Sequence, residues 1–365
     1  MALNFNWVPN NINQPWTSVS INSTGQNVVA SMEVSSSSNF LYYYNQEDGW
    51  NVSTIQGVNP NDGSYQVSIC DTKSFVAATT NITSSFFCYY YSEDGGNNYD
   101  FISFSNYSSE IPQSCSINSN GNWLSAPSTN GGTPFTGNAT TQSQPLQLNT
   151  ATFNDCPSYS AVSDTNYGFI CCQGLNLGPT TIPYSIFYSN DITNPSSWNN
   201  NNSIVNPCGT SQQFFGISCS GTGKYIIVAT ELGIYVSSNG NDSPPTFTQI
   251  QSISGVTGVS VSKSGKYGLF CQNTGTGNNI FYSSDYLQNW TNCTDSSLST
   301  IPWSSVSISD EYNYNVYAVA SANGGYIYSA TINVGSPPPP PPSPSQNAII
   351  TTIPNPIISG QPATI

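Results

Sequence analysis

The sequence predicts an all-β fold, a seven-bladed β-propeller of four-stranded blades, on three observations. A short motif with a central Ser between apolar or small residues returns seven times, on Ser20, Ser68, Ser116, Ser160, Ser218, Ser260 and Ser307. The steps between these serines are 48, 48, 44, 58, 42 and 47 residues, a period that suits a ring of small sheets better than a helical solenoid. No segment sustains a helical period. Aromatic residues make up 13% of the chain and charged ones 6%, which favours packed strands over disorder.

The stretch from Val259 to Trp290 shows one repeat in full. Val259-Ser260-Val261-Ser262 alternates as an inner strand, and Ser264-Gly265-Lys266 is a turn signal. A second apolar run follows from Tyr267, then a third strand at Ile280-Phe281-Tyr282, then a turn, then an aromatic start to the fourth strand at Trp290. Elsewhere the fourth strand is expected near Trp50, Tyr99, Trp198 and Phe247. The third copy matches least, with Thr129 to Gln144 reading as a polar loop, and the fourth carries an insertion around Gly174 to Tyr184. The seventh copy ends at Tyr328-Ser329 without a fourth strand. Phe5-Asn6-Trp7 resembles Gln288-Asn289-Trp290, so residues 3–8 are expected to complete the last blade, with Phe5 and Trp7 closing the ring. Closure hides sheet edges that would otherwise recruit other chains.

This gives a propeller over residues 1–334. Residues 335–346 form a Pro-rich linker with six consecutive prolines at 337–342. At about 3.1 Å per residue, eight residues of polyproline II make a rod of about 25 Å. Residues 347–365 read as an extended tail or the first strand of a further domain, suited to docking on an assembly.

The net charge is −14, and the only basic residues are Lys73, Lys224, Lys263 and Lys266, with no His. Such a surface repels phosphate backbones, so nucleic acid is excluded as a partner. No stretch approaches the roughly 18 apolar residues of a membrane span, so no membrane insertion is expected. The N-terminus has neither a basic region nor an apolar run and does not read as a signal peptide. Ten cysteines, Cys70, Cys88, Cys115, Cys156, Cys171, Cys172, Cys208, Cys219, Cys271 and Cys293, form no CxxC pair. Zinc is therefore disfavoured and disulfides in an oxidising setting are expected; for Cys70, Cys219 and Cys271, simple burial is the competing reading. Nine candidate N-glycosylation sequons occur, at Asn22, Asn51, Asn81, Asn106, Asn138, Asn201, Asn241, Asn289 and Asn292.

Ser92, Asp94, Gly96 and Tyr99 fit the pattern S-x-D-x-G-x-x-aromatic. Ser283, Asp285 and Trp290 keep it without the Gly, while Ser189, Asp191 and Trp198 stretch it. The Asp is expected to cap N–H groups of a hairpin turn, with the aromatic ring packed between blades. Calcium at Glu93-Asp94 or at Asp48 is the lesser reading, and no other cofactor is expected. Without His there is no Ser-His-Asp catalysis. A carboxylate-pair glycosidase using Glu33, Glu110, Glu231 or Glu311 is the enzymatic alternative, but none sits in a catalytic context, so the expectation is a protein that is not an enzyme. Tyr42 to Tyr44 and Tyr89 to Tyr91 read as inter-blade packing, with sugar stacking as the alternative.

Over residues 3–332 the repeats resemble the Asp-box (BNR) propellers of the sialidase superfamily. They are similar, more closely, to the W-x-S-V-S-x-S-x-x-G-x-Y repeats of giant DNA virus proteins, of the chlorella virus and mimivirus surface type. Trp16-Thr17-Ser18-Val19-Ser20 through Gly25, and Trp303 through Ser309, carry that likeness. Sialidases of this superfamily hold their substrate carboxylate with three arginines, which this chain lacks, so that activity is not implied. The resemblance implies a structural, surface-display glycoprotein of a virion or extracellular filament. Its head would be anchored through the C-terminal tail to other structural proteins of the assembly. Giant viruses assemble in the cytoplasm, and chlorella viruses glycosylate capsid proteins with their own enzymes and supply a thiol oxidase, which would reconcile sequons and cysteines with the absent signal peptide. The alternatives are a lectin-like host-attachment module for cell-surface glycans and a secreted protist or algal matrix glycoprotein.

Overall fold

In the computed structural model the described residues are 5–32, 40–56, 63–71, 73–79, 87–103, 112–127, 134–141, 146–148, 156–173, 185–198, 204–205, 213–242, 244–275 and 277–335. They form seven sheets arranged as a seven-bladed propeller of four-stranded antiparallel blades. The inner strands are Trp16–Ile21, Gly63–Cys70, Pro112–Ile117, Cys156–Val162, Phe214–Cys219, Val256–Val261 and Trp303–Tyr312. Each pairs with the next strand of its own blade and packs beside the inner strands of its neighbours. Among the described residues the only helical element is a 3₁₀ turn, Pro195–Trp198, and no helix is long and apolar enough to cross a membrane.

Every inner strand carries a β-bulge at one place: between Trp16 and Ser18, Ser64 and Gln66, Pro112 and Ser114, Pro157 and Tyr159, Phe214 and Gly216, Val256 and Gly258, and Trp303 and Ser305. A bulge inserts one residue and re-aims those that follow. Counting from it corrects the fourth repeat. The counterpart of Ser20, two residues past the bulge, is Ala161 and not Ser160. Ser160 faces back towards the third blade, where its hydroxyl meets that of Ser114 at 3.1 Å.

The turn after each inner strand explains the S-x-x-G-x-Y part of the repeat. Ser220 and Ser262 Oγ accept the N–H of Tyr225 and Tyr267, closing the turn across five residues. Glycine takes the left-handed backbone within it, at Gly25, Gly223 and Gly265 with φ of 75°, 70° and 79°. The tyrosine then lies on the glycine of the following blade: Tyr167 on Gly223, Tyr225 on Gly265, and Tyr317 on Gly25 across the closing seam.

Blade faces pack pairwise. Leu124 and Ala126 of the third blade meet Ile170, Cys172, Phe187 and Trp198 of the fourth. Ile227, Ala229 and Ile234 of the fifth meet Val256, Phe270 and Leu287 of the sixth. Such burial stabilises by about 25 cal/mol per Å² of apolar surface and requires both neighbours, so the ring is held as a unit.

The N-terminus completes the seventh blade. Val8–Pro9 pairs antiparallel with Ile327–Asn333, through Val8 with Ser329 and Pro9 with Tyr328. Among the described residues of the expected 3–8 segment only Val8 pairs, and Pro9 lies one residue beyond it. Phe5 and Trp7 pack instead of pairing: Trp7 is buried against Trp303, and its Nε1–H donates to the Cys293 carbonyl at 3.1 Å. Three further expectations are revised. Phe135–Asn138 is a strand within the predicted polar loop, because Phe135 and Thr136 bury themselves in the third blade. Trp198 sits on the 3₁₀ turn, six residues before the short fourth strand Ile204–Val205. The second blade gains a fifth strand, Thr54–Ile55, running parallel to Asn98–Ser103.

The disulfide expectation is corrected for the cysteines whose side chains are described. Cys70, Cys115, Cys171, Cys172, Cys219, Cys271 and Cys293 are thiols. They are distributed among blades as small core residues: adjacent Cys171 and Cys172 point to opposite faces of one sheet, one into each interblade core. The side chains of Cys88 and Cys156, and the whole of Cys208, lie outside the described residues. So do Asn81, Asn106, Asn201, Glu33, Glu110, the expected insertion, and residues 336–365.

Candidate functional site

The seven inner strands enclose an axial channel of about 440 Å³. Its wall follows from the repeat. The Ser hydroxyl two residues past each bulge accepts the backbone N–H of the next blade's inner strand. Ser20 takes Ile69 (3.2 Å), Ser68 takes Ile117 (3.2 Å), Ser116 takes Val162 (3.0 Å), Ser218 takes Val261 (3.0 Å), Ser260 takes Ile308 (3.2 Å), and Ser307 takes Ile21 across the seam (3.1 Å). Six of the seven interblade contacts carry this bond. The remaining one starts at Ala161, which has no hydroxyl to offer. Each bond satisfies an inner-strand N–H that has no partner in its own blade.

The two mouths differ. At the end where the inner strands begin, Thr17, Gln66, Tyr159, Phe215, Thr257 and Ser304 form an uncharged rim. At the turn end the blades are stitched in a continuous belt. Ser23 Oγ donates to Asp71, Lys73 Nζ to the Ser119 carbonyl, and Ser119 N–H and Oγ–H to Asp164 at 2.8 and 2.7 Å. Asp164 N–H donates to Gly221, Gly221 N–H to Lys263, Ser264 to Asp310, and Asp310 N–H back to Ser23. Lys263 lies across this ring. Its ammonium is 2.9 Å from Asp164 of the fourth blade and 3.9 Å from Asp71 of the second. These are the residues that sequence reasoning missed: Lys263 entered only as one of four basic residues. The signal was an Asp or Ser at a fixed place just past the inner strand, visible only once the copies are stacked.

The belt's charges reinforce each other. Burial alone would raise the Asp164 carboxyl, but the Lys263 and Ser119 donors outweigh it and hold the group below its ordinary range. Burial would lower Lys263, yet Asp164 and then Asp71 outweigh it and hold the ammonium above its ordinary range. A carboxyl depressed on folding contributes stability above the unfolded value of about 4, and loses it as acid takes the pH through the folded one; a raised lysine contributes below about 10.4 and loses it as the pH rises through the folded value. The pair therefore stabilises the neutral range and weakens towards both extremes. Asp164→Asn should melt below the wild type at neutral pH, and the gap should close as the pH falls from the unfolded value of about 4 through the depressed folded one. Thermal melts across pH check this; an offset independent of pH would assign the loss to packing.

Of the other predicted site residues, Asp94 and Asp285 cap equivalent hairpins. Asp94 Oδ1 accepts from Ser92 Oγ (2.7 Å) and Asn98 N–H (2.9 Å), and Asp285 Oδ1 from Ser283 Oγ (2.9 Å) and Asn289 N–H (3.0 Å). Gly96 N–H donates to Ser92 Oγ, and Tyr99 is fully buried with its hydroxyl on Ser74. Trp290 packs on Phe270. Asp191 differs, capping Thr193 two residues on, while Ser189 bonds to Ser197. Both Asp94 oxygens are engaged by Asn98 and Ser92, and Asp48 holds Asn45; among the described residues no three His, Cys, Asp or Glu side chains converge on one point. Glu231 is exposed on the fifth blade, and Glu311 accepts the Tyr267 hydroxyl on the seventh. Cys70 beside the belt is pushed up to about 12 by burial and by the Asp164 and Asp71 carboxylates, so it stays protonated at neutral pH.

The sequons also separate. Asn22 is 4% exposed, and its Oδ1 accepts the N–H of Gln26 and Asn27 in the first turn, which corrects it from glycan site to turn cap. Asn51 and Asn138 are half-buried and hydrogen-bonded locally. Asn241, Asn289 and Asn292 are exposed.

No model of a known protein family matches the sequence, and no curated protein does. Solved structures do match the fold. YCF48 bound to a D1 peptide aligns with a TM-score of 0.61 at 12% identity, over 93% of this chain and 99% of that one. YCF48 from Cyanidioschyzon merolae aligns at 0.58 and 12%, over 90% and 98%. The β-propeller domain of Cps50 (Swd1) from Myceliophteria thermophila aligns at 0.57 and 9%, over 91% and 100%. The chain is thus of the β-propeller class, and at these identities the likeness extends to the fold alone.

Proposed function

We propose that this chain is a non-catalytic docking and display module. It is the rigid head of a virion-surface or extracellular assembly, joined to other structural proteins through residues 335–365. The observation that carries this reading is the channel. Among its described lining residues the only charged side chains, Asp164 and Lys263, are tied to each other in the belt. Glycoside hydrolysis needs a carboxyl pair free to hold and release a proton; Glu311 is already bonded to Tyr267, and Asp164 and Asp71 share the Lys263 ammonium. What remains is a stiff ring with two broad faces, the kind of surface that other propellers give to protein partners; YCF48, one of its fold neighbours, has been seen with a peptide bound.

The test is immunogold microscopy on particles purified from the host that makes the chain, beside a form lacking residues 347–365. Surface labelling that disappears with the tail is the expected result. A full-length protein that stays in the soluble fraction, unattached to any particle or filament, overturns it.

A further inference from the structure

The sixth blade spends backbone strain on exposing a tyrosine. Its hairpin from Ser283 to Trp290 matches the one from Ser92 to Tyr99, since Asp285 and Asp94 accept the same N–H groups four residues on. In the second blade the two left-handed positions are Gly95 and Gly96, with φ of 78° and 97°. In the sixth they are Tyr286 and Leu287, with φ of 62° and 67°. Side chains with a Cβ pay an energetic penalty there. Leu287 has a packing reason, being buried over Gly268. Tyr286 has none of that kind, for it is 44% exposed.

Tyr286 instead lays its ring against a second aromatic. Its ring lies 5.1 Å from that of Tyr225 on the fifth blade, inclined by 32°. Lys224 Nζ stands 5.3 Å from the Tyr225 ring. Lys263 and Lys266 are in ion pairs and Lys73 donates into the belt, whereas Lys224 has no carboxylate partner among the described residues. In a chain of net charge −14, this places a cation with no carboxylate partner among the described residues over Tyr225, the ring that Tyr286 packs on.

We propose that Tyr286, Tyr225 and Lys224 form a binding site for an acidic hexopyranose, a uronate unit of a surface polysaccharide. The exposed Tyr286 ring, backed by Tyr225, takes the apolar C–H face of the sugar, and Lys224 pairs with its carboxylate. The site is independent of the display reading and stands whether or not the chain is found on particles.

The test is isothermal titration of the full chain with trimers of galacturonate and mannuronate, and with maltotriose as the neutral counterpart. At least one uronate trimer should bind saturably, with maltotriose about tenfold weaker or absent. Tyr286→Gly and Lys224→Gln should each weaken uronate binding about tenfold, while Tyr286→Phe keeps it. Tyr286→Gly should also melt no lower than the wild type, because glycine takes that backbone without strain. No saturable uronate binding overturns the proposal, as does equal affinity for maltotriose. So does a Tyr286→Gly variant that binds as the wild type does.

Discussion

Deleting residues 1–9 should lower the melting temperature by on the order of 10 °C. The deletion removes Trp7, which is buried against Trp303 and bonded to the Cys293 carbonyl, and the pairing of Val8 and Pro9 with Ser329 and Tyr328. Loss of a buried Trp alone costs about 3–5 kcal/mol. For a domain somewhat smaller than this one, 1 kcal/mol shifts the melt by about 2–4 °C. The truncated ring also exposes the edge of Ile327–Asn333, so light scattering should rise with concentration. A synthetic peptide of residues 1–15 should restore part of the melt by mass action, rising with the logarithm of its concentration once that exceeds Kd. An unchanged melt after truncation would mean that the seam is held by interblade packing alone.

That seam was legible in the sequence because Phe5-Asn6-Trp7 mimics a fourth-strand start and the seventh copy lacks one. The blade count was legible for a related reason: the central Ser has the same duty in each copy, accepting an N–H from the next blade, so the chain repeats it. Where the duty lapses, the reading slipped. Ala161 holds that place in the fourth blade, and the neighbouring Ser160 stood in for it in the alignment. The bulge that sets the true register is a backbone event with no residue signature, since Thr17, Phe215 and Ser304 all occupy the inserted place. The site was less legible still. Asp71, Asp164 and Lys263 come from the second, fourth and sixth blades, and only closure of the ring brings both carboxylates within 4 Å of the ammonium. The cysteines misled because an even count is also what chance burial of small residues yields. Asn22 misled because an Asn beside Ser and Thr serves a turn as readily as a glycan.

Gly25→Ala should destabilise the ring by about 2–5 kcal/mol, more than an alanine at any exposed turn glycine. Two effects add at this position. The backbone is left-handed, with φ of 75°, which costs a residue with a Cβ about 1–2 kcal/mol. A Cβ there would also lie 2.1 Å from Tyr317 Cδ2 and 2.7 Å from Tyr317 Cβ, too close for the ring to yield by a small rotation. Overpacking of this kind costs about 1–3 kcal/mol. Gly49 and Gly275 separate the two, since their φ values are 74° and 80° and an added Cβ meets nothing within 4 Å. Alanine at either should show the backbone term alone. Because Tyr317 belongs to the seventh blade and Gly25 to the first, the clash pushes on the seam that the N-terminal strand closes. The double variant Gly25→Ala, Tyr317→Ala should therefore lose less than the sum of the two single changes, measured by denaturant unfolding. Strict additivity would show that the tyrosine does not rest on that glycine, and the S-x-x-G-x-Y spacing would lose its physical explanation.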